Sequence, residues 1–528
     1  MAEKAAFVPR VLIVGAGSRG NAYAKAIHES GLGIVAAIAE PIEYKRKLLG
    51  SRYIWKTNPL PGQEFNDWKD FLEYENGRRS MGNATNPTGL GDDTADGNVA
   101  QRGIDSVFIC VLDHQHVEVI TAMAPFGFHI MCEKPLATTL QDCLRIYTAL
   151  QPLPGRSARH IFGIGHVLRY SPHNILLRQL VLEEEVVGDV LSIEHTEPVG
   201  WWHYSHSYVR GNWRKESTTA PSLLTKSCHD IDWILWMLCS PPRKSPHRDP
   251  HLPSYLSSTG SLTHFRRHRK PKTAGSATNC LSCPIEETCM YSAPKIYYQN
   301  QLALEELEWP VNIVNPEIET CYTTQGPEAA KKLLYQSLSE DYDKDTPESK
   351  RLSRSWFGRC VWESDNDVCD DQFVTITWDN QLVENDEPRM LNGKTATFHM
   401  IAGTEKQCER RGRIYGDKGE IEYDGTTIRI YDFSSDTTTE YHPKREKGGH
   451  GGGDGGLVKQ FLQAVIATET TMTADEAQVH YLGCTLEECL RSHAVVFAAE
   501  EARKGKRVLD WQPWWEGKMK GDCVGAAA

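Results

Sequence analysis

Three glycines near the N-terminus are the first residues whose type and spacing suggest a chemical role. Gly15, Gly17 and Gly20 form a G-x-G-x-x-G run, with Ser18 and Arg19 between the last two glycines. Glycines at this spacing permit a tight turn, a close approach of a pyrophosphate to the backbone, and close packing of a helix on a strand. The following helix would present its N-terminal amides to the phosphates. The run therefore predicts a dinucleotide site, provided that a strand precedes it and a helix follows it.

Glu40 is the second residue with a chemical role at this site. It lies twenty residues beyond Gly20, at the end of the next predicted strand. A carboxylate in that position accepts hydrogen bonds from ribose hydroxyls and repels a 2′-phosphate, which favours NAD over NADP. Lys45 and Arg46 follow closely and weaken that preference, so NADP remains an alternative.

The surrounding sequence supplies the strand and the helix that this site requires. Strands are predicted at residues 11–14, 34–39, 105–112 and 130–132, and helices at residues 19–30, 118–126 and 140–150. This alternation is typical of a parallel sheet covered by helices. The predicted fold class is therefore α/β, with an N-terminal Rossmann dinucleotide-binding domain over residues 1–155. A polar stretch at about residues 82–103 is interpreted as a surface insertion.

Residues 156–528 show a different pattern and predict a second domain of the α+β class. Its strand segments alternate polar and apolar residues, which favours a large, mostly antiparallel open sheet with one exposed face. The predicted strands are residues 161–167, 189–197, 372–378, 395–401, 410–415 and 427–431, and the predicted helices are residues 171–185, 225–238, 457–467 and 473–504. An insertion rich in Pro, Ser, His and Arg, and containing cysteines, is predicted at about residues 240–302.

The overall composition excludes some classes of function. A net charge of −12 argues against non-specific binding to nucleic acid, despite a short basic run at residues 266–270. The N-terminus does not have the pattern of a secretory signal peptide, and no stretch approaches the roughly 20 apolar residues that span a bilayer. The fifteen cysteines are scattered through a long chain, which favours reduced thiols. The expectation is a cytoplasmic protein without a membrane or nucleic-acid partner.

Four features together resemble the Gfo/Idh/MocA family of oxidoreductases. They are the glycine run, the segment from Asp105 to His116, the triplet Glu133-Lys134-Pro135, and residues 226–232. The resemblance extends over nearly the whole chain and leaves the two insertions least explained. It implies an NAD(P)-dependent oxidoreductase that transfers a hydride between a nicotinamide cofactor and a secondary alcohol of a sugar, an inositol or a related polyhydroxylated small molecule.

The resemblance also implies a role for each residue of the triplet. Lys134 would lie between the nicotinamide and the substrate, hydrogen-bond the reacting hydroxyl and lower its pKa, because an ammonium stabilises a developing alkoxide. Glu133 would help to place Lys134, and Pro135 would hold its backbone. His116, like Glu133, is expected on the cofactor side of the site.

The second catalytic motif of the family is usually D-x-G-x-H, and this chain departs from it. If the motif is aligned on His229, the aspartate position is Thr225. His229 remains a candidate general acid and base. Lys226 lies three residues before His229 and four before Asp230, a spacing at which Lys226 and Asp230 could pair, and its charge would lower the pKa of the His229 imidazole. Lys226 is therefore included among the catalytic candidates.

Further polar or aromatic residues are candidates for substrate contact. These residues are Tyr170, His206, Arg210, Trp213, Asp232 and His450. Some lie in residues 203–214 or in the motif at 226–232, which resemble one subgroup of the family, whereas Tyr170 opens the second domain and His450 lies in a glycine run that would let the backbone approach a ligand. Packing remains an alternative for each of them, and a flexible glycine-rich loop remains an alternative for His450. Asp454, four residues beyond His450, is a candidate N-cap of the next helix.

The insertion contains a cysteine pattern that could hold a metal ion. Cys280, Cys283 and Cys289 form a C-x2-C-x5-C motif, and thiolates at such spacing can bind a structural zinc ion. His264, Cys228 and Cys360 are all candidates for the fourth ligand, and free thiols without metal are the alternative. Such an ion would hold together a loop that is expected to have little core of its own.

Two other functions remain open at this stage. The first is an NAD-dependent glycoside hydrolase or lyase that oxidises its sugar transiently, with His206, His203 or His450 as general acid. The second is a non-catalytic NAD-binding protein, which the missing aspartate and the long insertions make conceivable. A homodimer or homotetramer is expected from the family resemblance alone.

Overall fold

The computed structural model describes residues 7–85, 102–152, 158–242, 249–383, 389–444 and 449–525. The chain divides into two compact units. The first unit comprises Met1–Ser171 and Glu446–Arg491, and the second comprises Pro172–Arg445 and Ser492–Ala528. Of the predicted polar insertion, residues 86–101 lie outside the described residues, and residues 82–85 complete a helix rather than begin a loop.

The first unit contains a parallel sheet of six strands in the order β3-β2-β1-β4-β5-β6. Every residue of β4 and β5 is buried, as a sheet covered on both faces requires. The chain changes direction across the sheet between β1 and β4, and ligands of open parallel sheets bind at such a switch point. The strands are β1 Arg10–Val14, β2 Ile34–Ala39, β3 Glu64–Phe65, β4 Ser106–Ile109, β5 His129–Cys132 and β6 Phe162–Ile164.

The second unit contains a sheet of nine strands in the order β16-β15-β14-β13-β7-β12-β9-β8-β17, and β10 and β11 form a separate hairpin. Every neighbouring pair in the large sheet is antiparallel except β7 and β12. Buried and more exposed residues alternate along β9, which fits a sheet with one face on the core. The predicted fold class is therefore confirmed for both parts of the chain. The strands are β7 Val190–Pro198, β8 Tyr255–Ser261, β9 Asp371–Trp378, β10 Gln381–Val383, β11 Arg389–Leu391, β12 Lys394–Ile401, β13 Arg411–Gly416, β14 Gly419–Tyr423, β15 Ile428–Asp432, β16 Thr437–Tyr441 and β17 Leu509–Asp510.

Helices connect the strands of both sheets and fill the insertion. They are α1 Ser18–Ser30, α2 Glu43–Tyr53, α3 Trp68–Thr85, α4 His116–Met123, α5 Leu140–Leu150, α6 Pro172–Leu182, α7 Trp201–Tyr204, α8 Ser222–Thr225, α9 Cys228–Leu238, α10 Val311–Val314, α11 Ile318–Gln325, α12 Pro327–Ser339, α13 Glu348–Leu352, α14 Gly453–Thr468, α15 Ala474–Ala477, α16 Leu486–Gly505 and α17 Trp511–Gly525. Across the described ranges, none of these helices is both long enough and apolar enough to cross a bilayer.

The boundary between the two units differs from the one predicted at residues 155 and 156. The segment expected to open the second domain forms β6, which pairs with β5 through Ile130 and Phe162 and so extends the first sheet. Helix α14 also belongs to the first unit, where the Phe461 ring packs 5.2 Å from the Phe108 ring. An apolar pattern predicts a strand or a helix but not the sheet that it joins, which is why the boundary was misplaced.

Two predicted helices are interrupted in the structure. Residues 225–238 are not one helix. They contain the last residue of α8, which ends at Thr225, and the whole of α9, which begins at Cys228. Residues 473–504 are divided near Gly483, whose φ of 55° is left-handed and ends the preceding helical turn. In both cases, the apolar periodicity continues across a break in the backbone.

The insertion is more ordered than the sequence predicts. Strand β8 lies within residues 240–302 but pairs with β9 in the large sheet. The turns and helices that follow enclose a small hydrophobic core, so the expectation of a loop with little core is wrong. Its buried members are Cys280, Ala293, Ile296, Tyr297, Leu302, Val311, Ile318, Ala330, Leu334, Leu338 and Phe357.

Candidate active site

The glycine run lies between β1 and α1, as the sequence predicts, and each glycine meets a different constraint. Gly15 has a left-handed φ of 95°, and a Cβ there would lie 2.6 Å from the Cys110 carbonyl oxygen. A Cβ on Gly20 would lie 2.0 Å from the Gly15 carbonyl oxygen. Around Gly17, by contrast, no other described atom lies within 4 Å of the Cβ position. The space over Gly17, at the N-terminus of α1, is therefore open for a pyrophosphate.

Glu40 lies beside this loop and is only 6% exposed. Its carboxylate accepts a hydrogen bond of 2.7 Å from the Ala16 amide and one of 2.9 Å from the Ile42 amide. Arg46 pairs with Glu64 at 2.9 Å and donates to the Glu40 carbonyl oxygen at 2.6 Å. The Arg46 guanidinium is already paired with these groups. The charge at this end of the site is therefore mainly the negative charge of the Glu40 carboxylate.

The Glu-Lys-Pro triplet follows β5 directly. Glu133 and Pro135 are buried, whereas the Lys134 side chain is partly exposed. The Lys134–Pro135 peptide bond is cis. His116 is fully buried, and its Nδ1 donates a 2.7 Å hydrogen bond to the Pro135 carbonyl oxygen. The chain thus fixes the backbone on both sides of Lys134 and leaves its side chain accessible.

An ion-pair network links the glycine run to this triplet within the first unit. Arg19 contacts the Glu133 carboxylate through Nε at 2.7 Å and the Asp454 carboxylate through Nη2 at 2.7 Å. His450 Nδ1 lies 3.2 Å from the same aspartate. Burial alone would raise the pKa of the Glu133 carboxyl, but the Arg19 charge outweighs it, so the net pKa is lowered. The pKa of Asp454 is lowered for the same reason.

This network changes the interpretation of two residues. The Arg19 side chain, expected to hold the cofactor, is engaged with two carboxylates and lies over the Tyr23 ring at 4.7 Å. Asp454 is not the N-cap of α14, because that position is Gly452. Its ion pair with Arg19 was missed, since 435 residues separate the partners and no local pattern connects them.

In the second unit, Lys226 and Ser227 lie in the break between α8 and α9, and His229 follows on the first turn of α9. Lys226 Nζ lies 2.9 Å from Cys408 Sγ and 3.2 Å from a Glu197 carboxylate oxygen. Burial lowers the pKa of Lys226, but the Cys408 thiol and the Glu197 carboxylate outweigh it, so the net pKa is raised. Lys226 therefore carries its charge in this environment.

The predicted pair between Lys226 and Asp230 is wrong. Asp230 contacts His195 Nε2 at 3.0 Å and Arg410 Nε at 2.9 Å. The spacing of four residues brings side chains together only on a continuous helix, and the break after Thr225 removes that condition. His229 and Asp232 are both buried, at 5% and 1% exposure.

Comparisons with known proteins identify the first part of the chain. A family model described as an oxidoreductase family with an NAD-binding Rossmann fold, Gfo/Idh/MocA, matches residues 9–154. This part of the chain is similar to the Gfo/Idh/MocA family. The chain thus carries the NAD-binding domain of an oxidoreductase family, and the open space over Gly17 together with the Glu40 carboxylate fits NAD(H).

Similarity to individual Gfo/Idh/MocA relatives is distant but reaches beyond this domain. The protein named oxidoreductase YteT of Bacillus subtilis (strain 168) is 21% identical over 372 residues, which are 68% of this chain and 72% of that protein. An inositol 2-dehydrogenase/D-chiro-inositol 3-dehydrogenase of Shouchella clausii (strain KSM-K16) is 28% identical over 163 residues, or 29% of this chain and 42% of that protein. The chain therefore matches less than half the length of the second relative.

A solved structure supports the same fold. The structure of a levoglucosan dehydrogenase in complex with NADH and levoglucosan has a TM-score of 0.56 with this chain, covers 96% of this chain and 99% of its own, and is 14% identical. At this identity the similarity concerns the fold, and it includes both the Rossmann part and the large sheet.

The remaining candidates for substrate contact lie in packed surroundings. Tyr170 belongs to the core of the first unit, and its hydroxyl donates to the Leu482 carbonyl oxygen at 3.0 Å. His206 Nδ1 lies 3.0 Å from the Tyr297 hydroxyl, and its ring stacks on Phe357 at 5.0 Å. Trp213 is only partly buried and stacks on Tyr208 at 5.7 Å. For Tyr170 and His206, this placement favours packing over ligand contact.

Arg210 is the most enclosed of these candidates. It is 1% exposed, and its guanidinium donates to the carbonyl oxygens of Arg359 and Tyr291, each at 2.7 Å. Its Nη2 also lies 3.4 Å from Cys280 Sγ. Arg210 is thus directed at the cysteines of the insertion.

Proposed function

We propose that this protein is an NAD-dependent dehydrogenase that acts on a secondary alcohol of a sugar, an inositol or a related polyhydroxylated small molecule. The observation that carries the proposal is the placement of Lys134. Its side chain is accessible directly after β5, while Arg19 and His116 fix the backbone around it relative to the glycine run. NAD, when bound, supplies the acceptor for the hydride.

Lys134 is proposed to donate a hydrogen bond to the reacting hydroxyl. An ammonium at that point stabilises the negative charge that develops on the oxygen as the hydride leaves. The neighbouring Glu133 carboxylate stays ionised because of Arg19. His229, in the second unit, stays a candidate general acid and base, since an imidazole can carry a proton near neutral pH.

Lys226 has a supporting role in this proposal. Its ammonium is held by Glu197 and Cys408 in the segment directly before His229. We propose that it fixes the start of α9, which carries His229 and Asp232, rather than contacting the substrate. A loss of kcat in Lys226→Met that Lys226→Arg restores would support this positioning role.

A substrate panel tests the proposal. Purified protein is incubated with NAD and a panel of sugars, inositols and amino sugars, and the appearance of NADH is followed by its absorbance. Turnover with at least one polyol, combined with binding of NAD by calorimetry, would support the dehydrogenase. NAD binding without turnover of any polyol in either direction would contradict it.

A second candidate is an enzyme that uses NAD without net redox change. One relative, from Escherichia coli (strain K12), is named 2,7-anhydro-N-acetylneuraminate hydratase and is 25% identical over 143 residues, or 36% of its length. His206 is poorly suited to act as the general acid of such a reaction. Burial and, to a lesser extent, the positive charge of Arg210 lower the pKa of its imidazole to about 3. Substrate consumption without any change in NADH absorbance would favour this candidate over the dehydrogenase.

A further inference from the structure

The insertion brings four cysteines around one small cavity. Cys280, Cys283, Cys289 and Cys360 all line it, with a volume of about 20 Å³. Three of them come from the C-x2-C-x5-C motif, and the fourth comes from a segment that begins about 70 residues later. We propose that these four cysteines bind one structural zinc ion, with Cys360 as the fourth ligand.

The backbone explains how Cys360 reaches the motif. Asn279 and Arg359 form an antiparallel bridge between the two segments. The Cys280 amide donates to the Gly358 carbonyl oxygen at 2.8 Å, and the Cys360 amide donates to the Thr278 carbonyl oxygen at 2.8 Å. These hydrogen bonds hold Cys280 and Cys360 next to each other on paired segments, independently of any ion.

The other two cysteines lie at the ends of short turns. The Cys283 amide donates to the Cys280 carbonyl oxygen at 3.1 Å, which folds the C-x2-C segment back on itself. The Cys289 amide closes the next turn on the Ile285 carbonyl oxygen, also at 3.1 Å. Both side chains are partly exposed, whereas those of Cys280 and Cys360 are buried. No three of the four sulfur atoms all lie within 4.8 Å of one another, so ion binding requires the thiols to move closer together.

Arg210 gives an independent indication of negative charge at this cavity. Its guanidinium is buried against Cys280, its Nη1 has no hydrogen-bond partner, and no carboxylate in the described part of the chain pairs with it. A buried guanidinium without a counter-charge is costly. Four thiolates around one divalent cation carry a net charge of about −2, which would offset the charge of Arg210.

The size of the cavity and the ligand set select the class of ion. A space of about 20 Å³ holds roughly one water-sized species, which suits a single ion. Four thiolates favour zinc, which binds them tetrahedrally at about 2.3 Å. On binding, the four thiols release their protons to solvent, and no atom is oxidised or reduced.

Neither of the other candidates for the fourth ligand lines the cavity. His264 Nε2 is hydrogen-bonded to the Tyr291 hydroxyl at 3.0 Å. Cys228 is buried at the first position of α9. Of the three candidates for the fourth ligand, Cys360 is the one that lines the cavity.

Metal analysis of the full-length protein tests the proposal. The chain is purified under reducing conditions without a histidine tag, and zinc and iron are measured by mass spectrometry for wild type, Cys360→Ser and Cys321→Ser. Cys321 is a partly exposed cysteine of helix α11 and does not line the cavity, so it serves as the control. We expect about one zinc per chain in wild type and Cys321→Ser, and a zinc content well below one per chain in Cys360→Ser.

A second measurement keeps the test decisive if Cys360→Ser does not fold. Wild-type protein is stripped with a chelator and titrated with Co²⁺, whose thiolate charge-transfer and d–d bands report tetrahedral sulfur ligation. Saturation of these bands at about one ion per chain, reversed by zinc, would support the site. Absence of bound metal before and after the titration, iron in place of zinc, or full zinc content in Cys360→Ser would overturn it. NAD binding is not involved in any of these measurements.

Discussion

The two units each contain an arginine between two carboxylates, and the surroundings of the two arginines differ. In the first unit, Arg19 is the cation that joins Glu133 and Asp454. In the second unit, Arg410 contacts Glu197 and Asp230, and Lys226 and His195 contact the same two carboxylates. In the second network both carboxylates contact a further basic side chain, whereas in the first network the further contact described is that of His450 with Asp454.

The two networks therefore have different roles. We expect the Arg19 network to position residues of the candidate active site and the Arg410 network to stabilise the fold of the second unit. The Arg19 network fixes the glycine run and the Glu-Lys-Pro triplet to each other, and its excess of negative charge faces the accessible Lys134. The Arg410 network balances its charges internally and supports the start of α9. Substitutions in the first network should therefore affect catalysis and stability together.

The largest effect is expected for Lys134→Met. Removal of a donor aimed at a developing oxyanion typically lowers kcat by a factor on the order of 10² to 10³. We expect that loss in steady-state assays, together with an NAD affinity that remains near that of wild type by calorimetry. Lys25→Met, an exposed lysine of the same unit, is the control. Turnover equal to wild type in Lys134→Met would refute the assignment.

A large effect on stability is expected for Arg19→Met, and a smaller one for Arg410→Met. The first change removes Arg19 from the buried Glu133 carboxylate and leaves Asp454 with His450, which costs about 3 kcal/mol or more. The second change leaves Lys226 with Glu197 and His195 with Asp230. Urea unfolding monitored separately for each unit, by fluorescence and by NAD-site probes, measures both losses. Equal losses would show that the extra partners in the second unit contribute nothing.

The stabilisation by Arg19 should depend on pH in the acid range. The pKa values of Glu133 and Asp454 are lowered in the fold from ordinary values of 4.5 and 3.8, so their contribution is complete at neutral pH and is lost as the pH falls through the lowered values. The difference in unfolding free energy between wild type and Arg19→Met should therefore shrink below about pH 4. A difference that stayed constant from pH 7 to pH 3 would argue against the ion pairs.

The smallest effect concerns the choice between NAD and NADP. Glu40 presents its carboxylate beside the glycine run, and Arg46 is engaged with Glu64. Glu40→Ser removes the charge that would repel a 2′-phosphate and should improve NADP binding relative to NAD by about tenfold. Titration calorimetry with both cofactors measures the ratio, and Glu43→Ser, an exposed neighbour, provides the comparison.

Much of the first unit could be predicted from sequence because its signals are local. The apolar runs at β1, β2 and β5 and the helices α1 and α5 follow directly from periodicity, with Gly31 ending α1 in a left-handed conformation. The position of Lys134 after β5 is equally local. What could not be predicted is the partner of Arg19, because Asp454 lies on a helix from the far end of the chain.

The second unit shows the limit of local patterns more clearly. Apolar periodicity runs through residues 225–238, yet the backbone breaks at Lys226 and redirects its side chain from Asp230 to Glu197. The motif from Cys280 to Cys289 is visible in the sequence, but Cys360 joins it only through the bridge between Asn279 and Arg359. Such pairings depend on which segments lie side by side, and a single sequence does not encode that as a pattern.

The contribution of α14 to the first unit has a consequence for synthesis. Leu457, Phe461 and Val465 cover the apolar surface that β1, β4 and their neighbours leave open. A ribosome has to translate more than 460 residues before these side chains emerge, although most of the sheet is made within the first third of the chain. During that interval the apolar face of the sheet is exposed and prone to aggregation. We therefore expect nascent chains of this protein to bind molecular chaperones.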